Sequence, residues 1–288
     1  MTVAVIAEAA ELRSVLDGRR AEGQRIGLVT TMGALHAGHL SLVRRAVADC
    51  DAVAISVYVN PLQFAPTDDL VAYPRDLETD CARAGDAGAD IVFAPSVEQM
   101  WPDPPATVVR VEGVSAPLEG RSRPGHFDGV ATIVARLFGI VGPCSAYFGE
   151  KDYQQLTVIR RMAVDLALPV AVIACPTVRD PDGLALSSRN AYLVAEEREV
   201  ASHLYWALLA GRRAIEDDRL SEPDAVVSAM AEAVAATPAF TLDYAAVVDP
   251  VDLSVPPRLV GEVRLLVAAK LGRARLIDNI AATVPGPS

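Results

Sequence analysis

The sequence predicts an α/β protein: a Rossmann-like parallel sheet with helices on both faces over residues 1–177, then a smaller C-terminal α+β domain over residues 178–288. Three observations lead there. Up to about Thr177, short apolar runs of buried-strand length alternate with stretches of helical period, the pattern of a parallel sheet flanked by helices. Beyond Thr177 the order changes to helices first and strands last. The composition, 51% hydrophobic and 22% charged over 288 residues, is that of a folded chain able to bury a large core.

Taken in order, strands are expected at 25–30 (RIGLVT), 52–59 (AVAISVYV), 90–94 (DIVFA), 146–149 (AYFG) and 170–174 (VAVIA). Helices are expected between them at 39–49, 76–87, 129–141 and 153–166. In such sheets ligands sit beyond the strand carboxyl ends, where helix N-termini point. A turn-rich segment, RDPDGLALSSRNAYL, leads into one long helix over 196–217 and a second over 222–236. Strands at 242–248, 262–271 and 274–277 follow, with antiparallel pairing expected.

Charge and cysteine usage narrow the function classes. Against 26 Lys and Arg stand 37 Asp and Glu, a formal net charge of −11, which argues against nucleic-acid or anionic-membrane partners. No apolar run reaches the roughly 20 residues needed to span a bilayer. The start, MTVAVIAEAAELRSVLD, lacks a basic segment and carries acids in its apolar stretch, so it does not read as a signal peptide. Cys50, Cys81, Cys144 and Cys175 lie far apart in apolar strings, which reads as buried thiols in the cytoplasm.

Three segments carry residues suited to chemistry. The first is Thr30-Thr31-Met32-Gly33-Ala34-Leu35-His36-Ala37-Gly38-His39-Leu40, which follows a predicted strand and opens a predicted helix. Glycines allow close backbone approach, the helix N-terminus offers free N–H groups, and two imidazoles three apart share a face, which suits nucleotide phosphates. The bland alternatives are surface histidines at a turn or half of a zinc site, the latter lacking further ligands at usable spacing. The second is Gly149-Glu150-Lys151-Asp152-Tyr153-Gln154-Gln155, also at a strand end before a helix. Its lysine can serve as a point charge for phosphate and Asp152 can take ribose or metal, unless the acids simply cap the next helix. The third is Asp182-Gly183-Leu184-Ala185-Leu186-Ser187-Ser188-Arg189-Asn190 in the loop joining the domains, where two hydroxyls and a guanidinium could form a mobile anion clamp and lid or a solvated loop.

These blocks, with NPLQFAPTDDLVAYPRDLETD (60–80), EGRSRPGHFDGVATIV (119–134), FGEKDYQQL (148–156), PTVRDPDGLALSSRNAYL (176–193) and RLIDNI (275–280), resemble the pantoate–β-alanine ligase family in order and over nearly the whole chain. The His-x-Gly-His element alone is shared with a wider superfamily of nucleotidyltransferases and class I aminoacyl-tRNA synthetases. A nucleotidyltransferase acting on another small acceptor is therefore the second reading, and a nucleotide-sensing scaffold without catalysis the third.

The resemblance implies ATP-dependent condensation of (R)-pantoate with β-alanine through a pantoyl adenylate, with AMP and pyrophosphate released. It implies ATP binding by Met32, Gly33, Ala34, Leu35, His36, Ala37, Gly38 and His39, by Gly149, Glu150, Lys151 and Asp152, by the backbone of Val178, and by Leu186, Ser187, Ser188 and Arg189. His39, His36, Lys151, Ser187, Ser188 and Arg189 are the implied catalytic groups. Gln63 and Gln155 are implied for pantoate, with Gln63 also near β-alanine. Magnesium accompanies ATP in that reading, with Asp80 its candidate ligand. Relatives usually carry two adjacent acids where this chain has Thr79 and Asp80. A homodimer and a cytoplasmic location are also implied, with no nucleic acid and no membrane. Arg123 and His126 stand either near the site or in a structural Pro-Gly turn.

Overall fold

The computed structural model describes residues 3–64, 70, 73–101, 103 and 105–286. The chain divides into two units, residues 1–149 with 154–176 and residues 150–153 with 177–288. In the first unit the chain runs through β1 (Ala4–Ile6), α1 (Ala9–Ala21), β2 (Ile26–Thr31), α2 (Ala37–Asp49), β3 (Ala52–Val57), α3 (Leu77–Asp86), β4 (Ile91–Phe93), α4 (Val97–Met100), α5 (Glu119–Ser122), α6 (His126–Val141), β5 (Cys144–Gly149), α7 (Tyr153–Asp165) and β6 (Val170–Cys175). Tyr153, the first residue of α7, groups with the second unit.

The six strands form one parallel sheet in the order β1-β4-β3-β2-β5-β6. From β2 the chain builds outward through β3 and β4, then returns to the other side of β2 as β5. The crevice beyond the carboxyl ends of β2 and β5 is thus the switch point at which such sheets bind ligands. Alternation along the strands serves both faces. Val29, Val53, Ile55 and Val92 pack with Leu42, Val43 and Ala46 of α2 and Ala84 of α3. On the opposite face Phe148 meets Phe138 of α6 edge-on, ring centroids 6.4 Å apart, and α1 packs against α6, β1 and β2.

The second unit holds α8 (Ala195–Val200), α9 (His203–Glu216), α10 (Pro223–Ala235), β7 (Phe240–Val248), β8 (Glu262–Leu271) and β9 (Ala274–Thr283). Its strands form an antiparallel sheet in sequence order. Leu204, Leu208 and Ile215 of α9 and Val226 and Met230 of α10 share a core with Leu265 and Val267 of β8.

Four features differ from the sequence reading. β1 and α1 were not expected. The strand is three residues long with one buried, and the helix buries only Leu12 and Leu16, so neither leaves a strong periodic signal. The helix expected over 196–217 is two, α8 and α9, separated at Ala201 and Ser202, which are both buried without a Gly or Pro to mark the break. β9 continues to Thr283, six residues past the expected end. The four cysteines are free, but only Cys175 is buried and the other three are partly accessible. Burial still pushes the Cys144 thiol up to about 12, which keeps it protonated and unreactive.

At the amino ends of β2 and β3, Asp51 accepts from the Arg25 amide at 2.8 Å, from Arg25 Nε at 3.0 Å and from a terminal guanidinium nitrogen at 3.1 Å. These bonds hold the Asp51 carboxyl down at about 2. Because the folded value lies below the unfolded one, the contribution is complete above the unfolded value of about 4 and is lost as pH falls through the folded one. The difference in Tm between the wild-type chain and Asp51→Asn should therefore shrink as pH is lowered from about 5 to about 2. Because the pair is exposed, added salt should also shrink it. Thermal melts across that range check both effects.

Candidate active site

The segment after β2 takes a course no strand ladder can satisfy. Gly33 and Ala34 have φ of 83° and 51°, so their amides turn out of the sheet. The Thr31 hydroxyl donates to the Ser56 carbonyl at 2.7 Å and accepts from the Gly33 amide at 3.2 Å. Asp80, in the first turn of α3 and only 2% exposed, accepts from the Ala34 amide at 2.9 Å through one oxygen and from the Leu35 amide at 2.8 Å through the other. Arg83, one turn on, donates to the Leu35 carbonyl. A Cβ at position 33 would stand 2.7 Å from an Asp80 oxygen, so glycine is required there for space as well as for its φ.

Each oxygen of the Asp80 carboxylate, the expected magnesium ligand, thus accepts from a backbone amide. Thr79, in place of a second acid, donates through its hydroxyl to Asp76 at 2.7 Å and helps cap α3. Among the described residues no group of three His, Cys, Asp or Glu could hold a metal ion.

The two histidines then start α2 by capping each other. His36 Nδ1 accepts from the Gly38 amide at 3.2 Å, and His39 Nδ1 accepts from the His36 amide at 3.4 Å, with ring centroids 4.0 Å apart. Since both Nδ1 atoms accept, the proton of each neutral ring sits on Nε2. The cap thus makes two imidazole N–H donors at the positive end of a helix, beside the sheet's switch point.

Gln63 closes a one-turn helix, Pro61–Gln63, and is tied to this segment. Its amide donates to Met32 Sδ at 3.0 Å and accepts from Asn60 at 3.1 Å. His126, at the start of α6, donates through Nδ1 to the Gln63 carbonyl at 2.8 Å and accepts from Arg123 at 3.1 Å. The Pro-Gly turn before α6 thereby positions Gln63 through its main chain. Gly129 of α6 lies so close that a Cβ there would run into the Leu62 and Gln63 backbone. Of the 60–80 block, residues 65–69 and 71–72 lie outside the described residues.

The adjacent glutamines of α7 divide their work. Gln154 is 3% exposed, accepting from the Glu119 amide at 3.0 Å and donating to the Val114 and Pro117 carbonyls at 2.9 and 2.7 Å. Gln155 is half-buried and makes no side-chain hydrogen bond among the described residues, as suits an amide kept for a ligand.

In the second unit, Lys151, Ser187 and Arg189 line one small recess, and Ser188 and Leu186 are not among its lining residues. Lys151 stands 3.5 Å from Asp152. The Ser187 hydroxyl accepts from the Arg189 amide at 3.2 Å and caps the one-turn helix Ser188–Tyr192. Glu150, expected at ATP, has its carboxylate engaged by Arg264 at 3.0 Å. The 178–186 segment is a hairpin. The Leu186 amide donates to Val178 and the Asp180 amide to Leu184, and Arg179 pairs with Asp278 at 2.5 Å. Arg198 bonds Asp180 at 2.8 Å and Asp182 at 2.5 Å.

A model of the family described as pantoate-beta-alanine ligase matches residues 4–281. The chain belongs to that family. A pantothenate synthetase of Thermus thermophilus is 52% identical over 277 residues, 96% of this chain and 98% of the relative. One of Mycolicibacterium smegmatis is 50% identical over 276 residues, covering 96% and 86%. A crystal structure of the Thermus thermophilus enzyme matches with a TM-score of 0.90 at 50% identity, covering 96% of this chain and 99% of that one. A pantoate-beta-alanine ligase from Francisella tularensis, complexed with beta-gamma ATP and beta-alanine, matches with a TM-score of 0.78 at 32% identity, covering 96% and 97%. Membership makes the chain a ligase, against the readings as a nucleotidyltransferase or a scaffold.

Asp80→Asn tests the clamp on the ligase loop. One side-chain oxygen becomes an NH2 facing a backbone N–H, so the variant should lose about 1–3 kcal/mol of stability and bind ATP more weakly. Denaturant unfolding and calorimetric ATP titration measure the two losses.

Proposed function

We propose that this ligase condenses pantoate with β-alanine at the expense of ATP, with the nucleotide phosphates at the His36–His39 cap. The observation that carries this is the reciprocal cap itself, which fixes an Nε2 donor on each ring where a helix N-terminus meets the switch point of the sheet. In the first step a pantoate carboxylate oxygen bonds to the α-phosphorus as the bond to pyrophosphate breaks. The carboxylate is already a nucleophile at neutral pH, so the step needs alignment and charge neutralisation rather than a base. His36, His39, Lys151, Ser187 and Arg189 supply donors and positive charge. In the second step the β-alanine amine attacks the acyl carbon, AMP leaves and the amine loses a proton.

Gln63 and Gln155 orient pantoate through neutral amides, which can bind a hydroxy acid without trapping its carboxylate in an ion pair. Gln63, held through its carbonyl and both ends of its amide, is the more rigid of the two and also stands near β-alanine in this reading. Magnesium would accompany ATP with Asp80 its candidate ligand and would share in neutralising the phosphate charge. Among the described residues no helix is long and apolar enough to cross a membrane. A cytoplasmic homodimer completes the proposal, and light scattering after gel filtration tests the dimer.

His39→Ala and His36→Ala should each lower pantoate-dependent ATP–pyrophosphate exchange by roughly 10²–10³-fold while leaving the chain folded, the usual cost of one well-placed donor. Near-normal exchange in either folded variant would place the phosphates elsewhere.

Gln155→Ala should raise KM for pantoate strongly and leave ATP affinity nearly unchanged, because a lost partner for a substrate hydroxyl is felt at that substrate. Steady-state kinetics with calorimetric ATP binding distinguish this from a nucleotide contact. Lost ATP binding with an unaltered pantoate dependence would move Gln155 to the nucleotide pocket.

A further inference from the structure

The turn Glu150–Asp152 leaves β5 with carbonyls that no ladder takes up, and buried carbonyls need partners. A single residue from the far end of the chain supplies two of them. Asn279 of β9, 3% exposed, donates through Nδ2 to the Glu150 carbonyl and to the Lys151 carbonyl, both at 2.9 Å. Its Oδ1 accepts from Arg264 Nε at 2.7 Å. Arginine can only donate, so the amide cannot flip, and its NH2 group must face the two carbonyls. Arg264 comes from β8, two residues from Leu266, the register partner of Asn279, so both side chains leave one face of the sheet.

Arg264 is itself held from three sides. Besides Asn279 it bonds the Glu150 carboxylate at 3.0 Å, and its guanidinium lies 4.0 Å over the Tyr153 ring. The Tyr153 hydroxyl donates to the Pro250 carbonyl at 3.0 Å. Residues 150, 151 and 153 are therefore all anchored to the antiparallel sheet, while the Lys151 side chain, 16% exposed, runs to the recess with Ser187 and Arg189. A lysine on a flexible stem aims well only if its Cα is fixed.

Resting on the phosphate role of Lys151 proposed above, we infer that Asn279 is a positioning residue for adenylation, which acts by fixing the main chain that carries the Lys151 ammonium. Asn279→Asp is the sharp test. It keeps the shape and the Arg264 contact but turns both donors into an oxygen that repels the two carbonyls. A displacement of about 1 Å of a charge-stabilising group can cost about 10²-fold in rate. Asn279→Asp should accordingly lower kcat for pantoate-dependent ATP–pyrophosphate exchange by about that factor, with KM for pantoate nearly unchanged. The reaction of β-alanine with synthetic pantoyl adenylate should change only a few-fold.

The double variant Lys151→Ala/Asn279→Asp decides between positioning and general damage. If Asn279 acts through Lys151, the double variant should be no slower than Lys151→Ala alone. Losses that multiply, or equal losses in both half-reactions, would overturn the inference. So would a folded Asn279→Asp of normal exchange rate beside an impaired Lys151→Ala, which would leave the role of Lys151 standing. Normal exchange in Lys151→Ala would overturn that role and this inference together. Should Asn279→Asp fail to fold, Asn279→Ala carries the same comparisons.

Discussion

A buried carboxylate, that of Asp80, holds together the loop that follows β2. The loop after β2 must turn sharply to deliver His36 to the start of α2, and the turn uses two successive residues of positive φ. Such a course strands backbone donors, and a stranded buried donor costs about 1–3 kcal/mol. Asp80 takes two of them with charge-assisted bonds, from a first helical turn whose own dipole favours negative charge. Arg83 takes the Leu35 carbonyl from the same helix. The placement of α3 and the shape of the loop are thus one constraint, and the histidine cap stands on it.

The second unit applies the same device with opposite polarity. Two arginines pair with acids, Arg179 with Asp278 and Arg264 with Glu150. Buried pairs are weak evidence for net stability, since desolvation offsets much of the attraction, but losing one partner is costly. Their effect here is geometric. One pair pins the 178–186 hairpin to β9, and the other pins the turn before α7 to β8. Arg179 also lies 4.0 Å over the Tyr205 ring, which adds a second direction of restraint.

Strand and helix periodicity was enough to read the parallel sheet, both later helices and the antiparallel order of β7 to β9. It could not find β1 or α1, where few residues are buried, nor the break at Ala201 and Ser202, where packing against a core decides and no local residue signals. The two histidines were readable as a pair at the start of a helix because they lie three residues apart, while their mutual capping was not. Asp80 stood out in the sequence, but its bonds to two backbone amides more than forty residues away were not readable there. Asn279 went unassigned and the place of His126 stayed open because each bonds main-chain carbonyls, which leave no mark in a residue pattern. Arg264 went unassigned because its partners Asn279 and Glu150 are distant in sequence.

The tie between Asn279 and the Glu150 carbonyl spans 129 residues. During synthesis the turn that carries Lys151 emerges long before β8 and β9 exist to receive it, and a contact of such separation waits on the closure of a long loop. A nascent chain can therefore complete the parallel sheet and its histidine cap while the lysine turn still lacks its anchors. Assembly of the molecule ends with its last strand, so a truncation that takes away Asn279 reaches a lysine near the middle of the chain.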